Sequence, residues 1–291
     1  MWLRKRKFAR KSRAAIVSRF ATAILLAVAA AALLAAQQKA SSSPSEATTY
    51  FDQGLAAYKA GQFANAAQQF QQASQLDPYL VNAQLYLAAS YNAQFVPGTP
   101  SAENRQLGQE ALQEYKLVAT DNPTNLTAID GAGFTLYNLS QSPFDAAGMT
   151  EAKAYWQRHV QVKSSDAEPH YWIGVIDWSI AYKANQDLRA QDVSDSGGDL
   201  APAAALPDAV RARFSANYLA SINEGMAQLQ TAIASKPDYV DAMAYLNLLY
   251  RLKADAESNP RDREADLHIA EGLVSKVIET KNAPAAAGQN R

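Results

Sequence analysis

Apolar residues fall on one helical face again and again along this chain, with polar positions between them. In TTYFDQGLAAYKAGQFANAAQQFQQASQLDP, residues 48–78, Thr48, Phe51, Leu55 and Tyr58 recur at spacings of three and four, and Ala66, Phe70 and Ala73 repeat the pattern after Gly61. That period predicts two amphipathic helices joined by a tight turn at Gly61. Gly54 lies off the first stripe, where the missing side chain lets the second helix come close and Phe70 fills the gap. Asp77 is expected to cap the next helix and Pro78 to occupy its first turn. Such a pair cannot bury its own apolar faces, so it must stack on a neighbour.

The unit returns along the chain. On the first helices the small positions are Gly54, Ala88, Gly133, Gly174 and a degraded Asn247; on the second helices they are Ala66, Ala111, Ala152, Gly225 and Ala270. From each second helix to the next first helix the distance is 22 residues all four times, whereas within a pair it is 12, 23, 19, 51 and 23. The extra sequence therefore falls in the turn inside each pair. The large packing position of the second helix reads Phe70, Tyr115, Trp156, Leu229 and Val274. The longest insertion, Ala184 to Leu206, is expected to be a helical hairpin with a loose tip. Trp178, Tyr182 and Leu188 continue one stripe, Val210, Phe214 and Tyr218 the other, and Pro207 and Asp208 suit the first turn of the second.

Gly54, Tyr58, Ala66, Phe70, Ala73 and Pro78 together resemble the tetratricopeptide repeat, two antiparallel helices closed by a proline. The resemblance implies an all-α, right-handed solenoid of about five helix-turn-helix repeats over residues 47–283, bounded at about 47–80, 81–125, 126–166, 167–239 and 240–283. It also implies a binding scaffold whose first helices line a concave groove for a protein or peptide partner. By repeat phase that groove is expected to present Phe51, Leu55 and Tyr58, then Asn82, Leu85 and Asn92, then Asp130, Phe134, Tyr137 and Asn138, then Tyr171, Val175 and Trp178. Aromatic rings there offer contact area, and side-chain amides both donate and accept. Beside these positions, Lys59 is the only basic residue expected on the groove in the first four repeats, so a clamp for a carboxylate terminus is not expected there.

Charge changes the picture at the N-terminus. No acid precedes Glu46, yet Arg4, Lys5, Arg6, Lys7, Arg10, Lys11, Arg13, Arg19 and Lys39 do, so the remainder holds 18 basic against 28 acidic residues, a net −10. That acidic body argues against nucleic acid. Residues 1–19 form a basic arm, and 20–36 (FATAILLAVAAAALLAA) an unbroken apolar run, about 25 Å long as a helix. Residues 37–46 read as a linker and 284–291 as a disordered tail. The run reads as a signal or transmembrane helix, and the basic residues ahead of it keep the N-terminus cytoplasmic. The expectation is a single-pass protein of a bacterial inner membrane with its repeats in the periplasm; the alternative is a soluble periplasmic or secreted protein after signal cleavage. The chain has no cysteine, which removes disulfides and thiolate zinc sites.

Little catalytic chemistry is written here. His159, His170 and His268 lack a metal-binding spacing, a nucleophile elbow or a phosphate loop beside them, so no enzyme, cofactor or metal is expected. His159 matches Ala73 and Val118 in the repeat, which makes it a hydrogen-bonded packing residue. Gly131 and Gly133 answer to helix packing, no strand preceding them. Asp192, Asp195 and Asp199 around Gly197 and Gly198 lack the spacing and closing glutamate of a calcium loop.

Overall fold

The computed structural model describes residues 44–196 and 204–282. The basic arm, the apolar run 20–36, the hairpin tip at 197–203 and the tail from 283 lie outside the described residues. Among the described residues no helix is long and apolar enough to cross a membrane. Those residues form ten α-helices: α1 Pro44–Lys59, α2 Phe63–Leu76, α3 Val81–Gln94, α4 Ala102–Asp121, α5 Leu126–Leu139, α6 Ala146–Val162, α7 Ala167–Ser196, α8 Asp208–Ser235, α9 Val240–Ala256 and α10 Pro260–Asn282. They follow one another as five consecutive pairs. The chain divides into two compact units, Met1–Ala83 and Gln84–Arg291.

In the first unit α1 begins at Pro44, inside the span read as a linker, where a proline suits a first helical turn. Gly61 holds φ +73° in the turn to α2, a conformation glycine adopts without strain. Gly54 is buried against the Phe70 ring, and a Cβ built on it would stand 2.6 Å from Phe70 Cε1. Asp77 does not cap the following helix. It ends α2, and its carboxylate accepts from the amide of Tyr79. Pro78 accordingly sits in the turn and not in a first helical turn, because α3 starts only at Val81.

In the second unit the glycine-against-large rule holds pair by pair. Ala88 clusters with Tyr115, a Cβ on Gly133 would stand 3.0 Å from the Trp156 indole, and one on Gly174 would overlap Leu229 Cγ. Gly131 instead receives Tyr115 of the preceding pair, at 2.5 Å from where its Cβ would be. The fifth pair departs from the rule: Val274 is 38% exposed, and α9 and α10 are tied by Lys253 Nζ, 2.8 Å from the buried Asp266 carboxylate. Apolar clusters lie between successive pairs. One gathers Leu136, Met149, Trp156, Ile173 and Ile176 from α5, α6 and α7; another gathers Phe214, Ile222, Leu229, Leu246 and Leu249 from α8 and α9 with Ala181 of α7. Stacking thus buries what a lone pair leaves open.

The constant spacing of 22 has a backbone cause. The turns 77–80, 122–125, 163–166 and 236–239 each have four residues, and each is bonded alike. The amides of Asp77, Asn122, Lys163 and Lys236 donate to the carbonyls of Ala73, Val118, His159 and Ala232, at 2.8–2.9 Å. Then Leu80, Asn125, Asp166 and Tyr239 donate back to the first residue of the turn, at 3.0–3.4 Å. Pro123 lies in such a turn as Pro78 does, and Ser164 replaces it in the third without altering the bonds. Inside the long fourth pair, Leu188, Val210 and Tyr218 pack on the cluster around buried Phe214 and Leu206. Tyr182 stays out of that cluster, 42% exposed. Arg189 donates to Asn185, to the Ala204 carbonyl and to Asp255, at 2.8–3.0 Å, which fixes the start of the return strand of chain.

Candidate partner-binding surface

The expected groove residues divide sharply by environment. In the first unit Phe51 and Tyr58 are half-buried, their ring centroids 5.6 Å from Phe70 and 5.2 Å from Phe63. Both therefore pack within the first pair, and Asn82 is exposed.

In the second unit α5 is buried nearly all round, as a helix with apolar residues on every side must be. Two expectations are corrected there. Tyr137 and Asn138 are each 8% exposed and do not line an open groove. Burial lifts the Tyr137 hydroxyl above its usual range, and that hydroxyl meets Ser179. Val175 is buried too. Asn92 receives a bond from Thr135 at 3.3 Å, joining α3 to α5. Asp130 is drawn aside by His159, whose Nδ1 lies 2.5 Å away while its Nε2 faces Asp166 at 3.3 Å. Burial raises the Asp130 carboxyl against the pull of that imidazole, and a bond from Lys163 lowers Asp166. His170 is held between Gln228 and the Ser164 carbonyl. Both nitrogens of both rings are thus engaged within the protein.

Phe134, Tyr171 and Trp178 remain, joined by residues the repeat phase did not pick out. Ring contacts run from Phe134 to Trp172 (5.4 Å), Tyr171 (5.3 Å), Tyr245 (5.8 Å), Trp178 (5.1 Å) and Tyr182 (5.0 Å). The run crosses three first helices, α5, α7 and α9, and its two ends are open: Phe134 is 39% and Tyr182 42% exposed. Beneath it Trp172 stacks on buried Trp156 at 5.6 Å, which fixes the surface to the core. Trp172 was legible only as the neighbour of Tyr171, one step off the stripe. Tyr245 belongs to the fifth pair, where the repeat pattern decays.

The surface carries acids at one margin. Trp172 Nε1 donates to Glu168 at 3.4 Å. Burial lifts the hydroxyl of Tyr239 to about 12, with Glu168 and Asp241 adding to it, and burial likewise raises Tyr171 and Tyr245. The phenols therefore stay protonated and can donate. Such a surface offers broad ring area, donors in fixed places and a negative border, which suits an apolar segment carrying basic groups.

No protein-family model matches the chain, and no curated protein matches it. Among solved structures, the crystal structure of MamA protein is 15% identical, the match covering 84% of this chain and 98% of that one at a TM-score of 0.52. MamA 41-end from Desulfovibrio magneticus RS-1 is 13% identical over 83% and 98%, also at 0.52. YrrB, described as a TPR protein with an unusual peptide-binding site, is 14% identical over 80% and 89% at 0.48. At such identities the likeness is one of fold, an all-α array of helix pairs of the tetratricopeptide type.

Proposed function

We propose that this protein is a non-catalytic interaction scaffold whose second unit holds a segment of a partner protein on the aromatic surface of α5, α7 and α9. The observation that carries the reading is the unbroken ring run from Phe134 to Tyr182, open at both ends and seated on Trp156. Rings of this kind give large contact area with little loss of rotamer freedom. Glu168 and Asp241 at the margin favour a partner segment that is apolar with basic residues. The fold likeness to MamA adds the array and nothing about a ligand.

The same reading places the protein at a bacterial inner membrane, tethered by residues 20–36 with the repeats in the periplasm, on the strength of the basic arm ahead of that run. N-terminal sequencing of the mature protein decides between tether and cleaved signal: a start near Gln37 overturns the tether. For the surface, photo-crosslinkers at Phe134 and Tyr182, read by mass spectrometry, should capture one recurring partner. Trp178→Ala should abolish that capture and leave far-UV circular dichroism intact. Unchanged capture in a folded Trp178→Ala protein overturns the surface.

A further inference from the structure

The packing rule of the repeat fails at one helix, and the failure leaves an apolar seam open. On the earlier second helices the large residues Phe70, Tyr115, Trp156 and Leu229 are buried. In the fifth pair the small position is Asn247, whose side-chain oxygen accepts from Arg251 at 3.0 Å. A full side chain thus stands where Gly54, Gly133 and Gly174 leave a gap. Val274 stays exposed, and Ile278, one turn on, is 54% exposed.

These two residues belong to a longer pattern. Glu264, Leu267, Glu271, Val274, Ile278 and Lys281 follow one another along α10 at alternating spacings of three and four, the pattern of a helix seam that packs on a second helix. Leu267 is half-buried and the other five are exposed. The neighbouring face is committed: Asp266 and Ala270 are buried, and Asp266 is held by Lys253 of α9 at 2.8 Å. The seam's charges are uncommitted, since none of Glu264, Glu271 and Lys281 joins an ion pair among the described residues. Their order is also polar. The acids lie toward the start of α10 and the lysine at its end.

We propose that this seam is the contact between two copies of this chain, their α10 helices antiparallel about a two-fold axis midway between Glu271 and Val274. The charge order selects that occupant. In the antiparallel pair Glu264 faces the partner's Lys281 at each end, and Leu267 faces the partner's Ile278 inside it. A parallel pair would set glutamate on glutamate and lysine on lysine. A two-fold contact uses the same patch on both copies, so each match occurs twice. Glu271 is the one seam residue without a match, set beside the partner's Val274. The contact shares no residue with the aromatic surface and does not depend on it.

The test is sedimentation equilibrium of the full chain dispersed in mild detergent, with far-ultraviolet dichroism as the check of folding. Three apolar residues from each copy make a contact at the small end of specific interfaces, so the parent protein should dimerise with a Kd on the order of 10–100 µM. I278D should abolish the dimer. E264K or K281E alone turns both end pairs repulsive and should weaken it about tenfold; these exposed positions carry the test should I278D fail to fold. The double variant E264K/K281E should return to within about threefold of the parent, because the two positions couple only across the two-fold, being about 25 Å apart in one helix. E271L should tighten the dimer, since it removes the unmatched carboxylate. In cells a photo-crosslinker at Ile278 should join the chain to itself. A protein that stays monomeric, a dimer that I278D leaves intact, or a double variant no tighter than either single one overturns the proposal, as does capture at Ile278 of other proteins alone.

Discussion

Gly174 and Gly272 make opposite statements about the same residue type. Both are helical, but a Cβ on Gly174 would overlap Leu229 Cγ, in the branch of a fully buried side chain, whereas one on Gly272 meets nothing within 4 Å. Overpacking a core costs about 1–3 kcal/mol, and alanine in an open helical position gains up to about 1 kcal/mol over glycine. Gly174→Ala should therefore lower the urea midpoint and Gly272→Ala raise it; equal effects would mean the close approach is not holding α7 to α8. A second residue-scale consequence concerns Asp177, 2% exposed, which receives Lys153 Nζ at 2.7 and 2.9 Å. Burial outweighs that lysine and lifts the carboxyl to about 7. The folded state then holds a proton that the unfolded chain releases near pH 4, so this group's contribution to stability falls as pH rises from about 4 to about 7 and is level above. Urea midpoints of Asp177→Asn should fall less across that window than those of the parent protein. Parallel slopes would remove Asp177 as the cause.

Between elements the governing object is the four-residue turn. Two glycines inserted between Ser164 and Ser165 would break the Asp166 to Lys163 bond and shift α7 against α6. The same insertion between Ser258 and Asn259 leaves the Glu257 to Lys253 and Arg263 to Asn259 bonds in place. The first should cost about 2 kcal/mol or more and the second under about 1 kcal/mol, the added loop entropy being small, a difference that chemical denaturation can resolve. This turn was legible as a number before it was visible as a structure, since only a fixed turn keeps second and first helices 22 residues apart. Its chemistry was not legible. The preference of proline for first helical turns puts Pro78 in one, yet Ser164 makes the same turn as Pro78 and Pro123, so the bonding lies in the backbone. For the surface, helical phase found Phe134, Tyr171 and Trp178 but could not tell how many neighbours clasp a helix. That number is what buries Tyr137 and Asn138 in α5.

At the scale of the molecule, the aromatic residues are not spread evenly. Three of the four tryptophans, Trp156, Trp172 and Trp178, belong to α6 and α7 of the second unit, and Trp156 and Trp172 stack with planes 13° apart. Unit one carries no tryptophan in its described helices, only tyrosine and phenylalanine such as Phe51, Tyr58 and Phe70. Trp156, Trp172 and Trp178 thus form a built-in optical probe of one part of the chain. Stacked indoles couple their transitions, so the near-ultraviolet dichroism of the Trp156–Trp172 pair reports the middle of the second unit, while far-ultraviolet dichroism sums over every helix. Were the two units to melt apart, the two signals would part as well, and light alone would tell which half had let go.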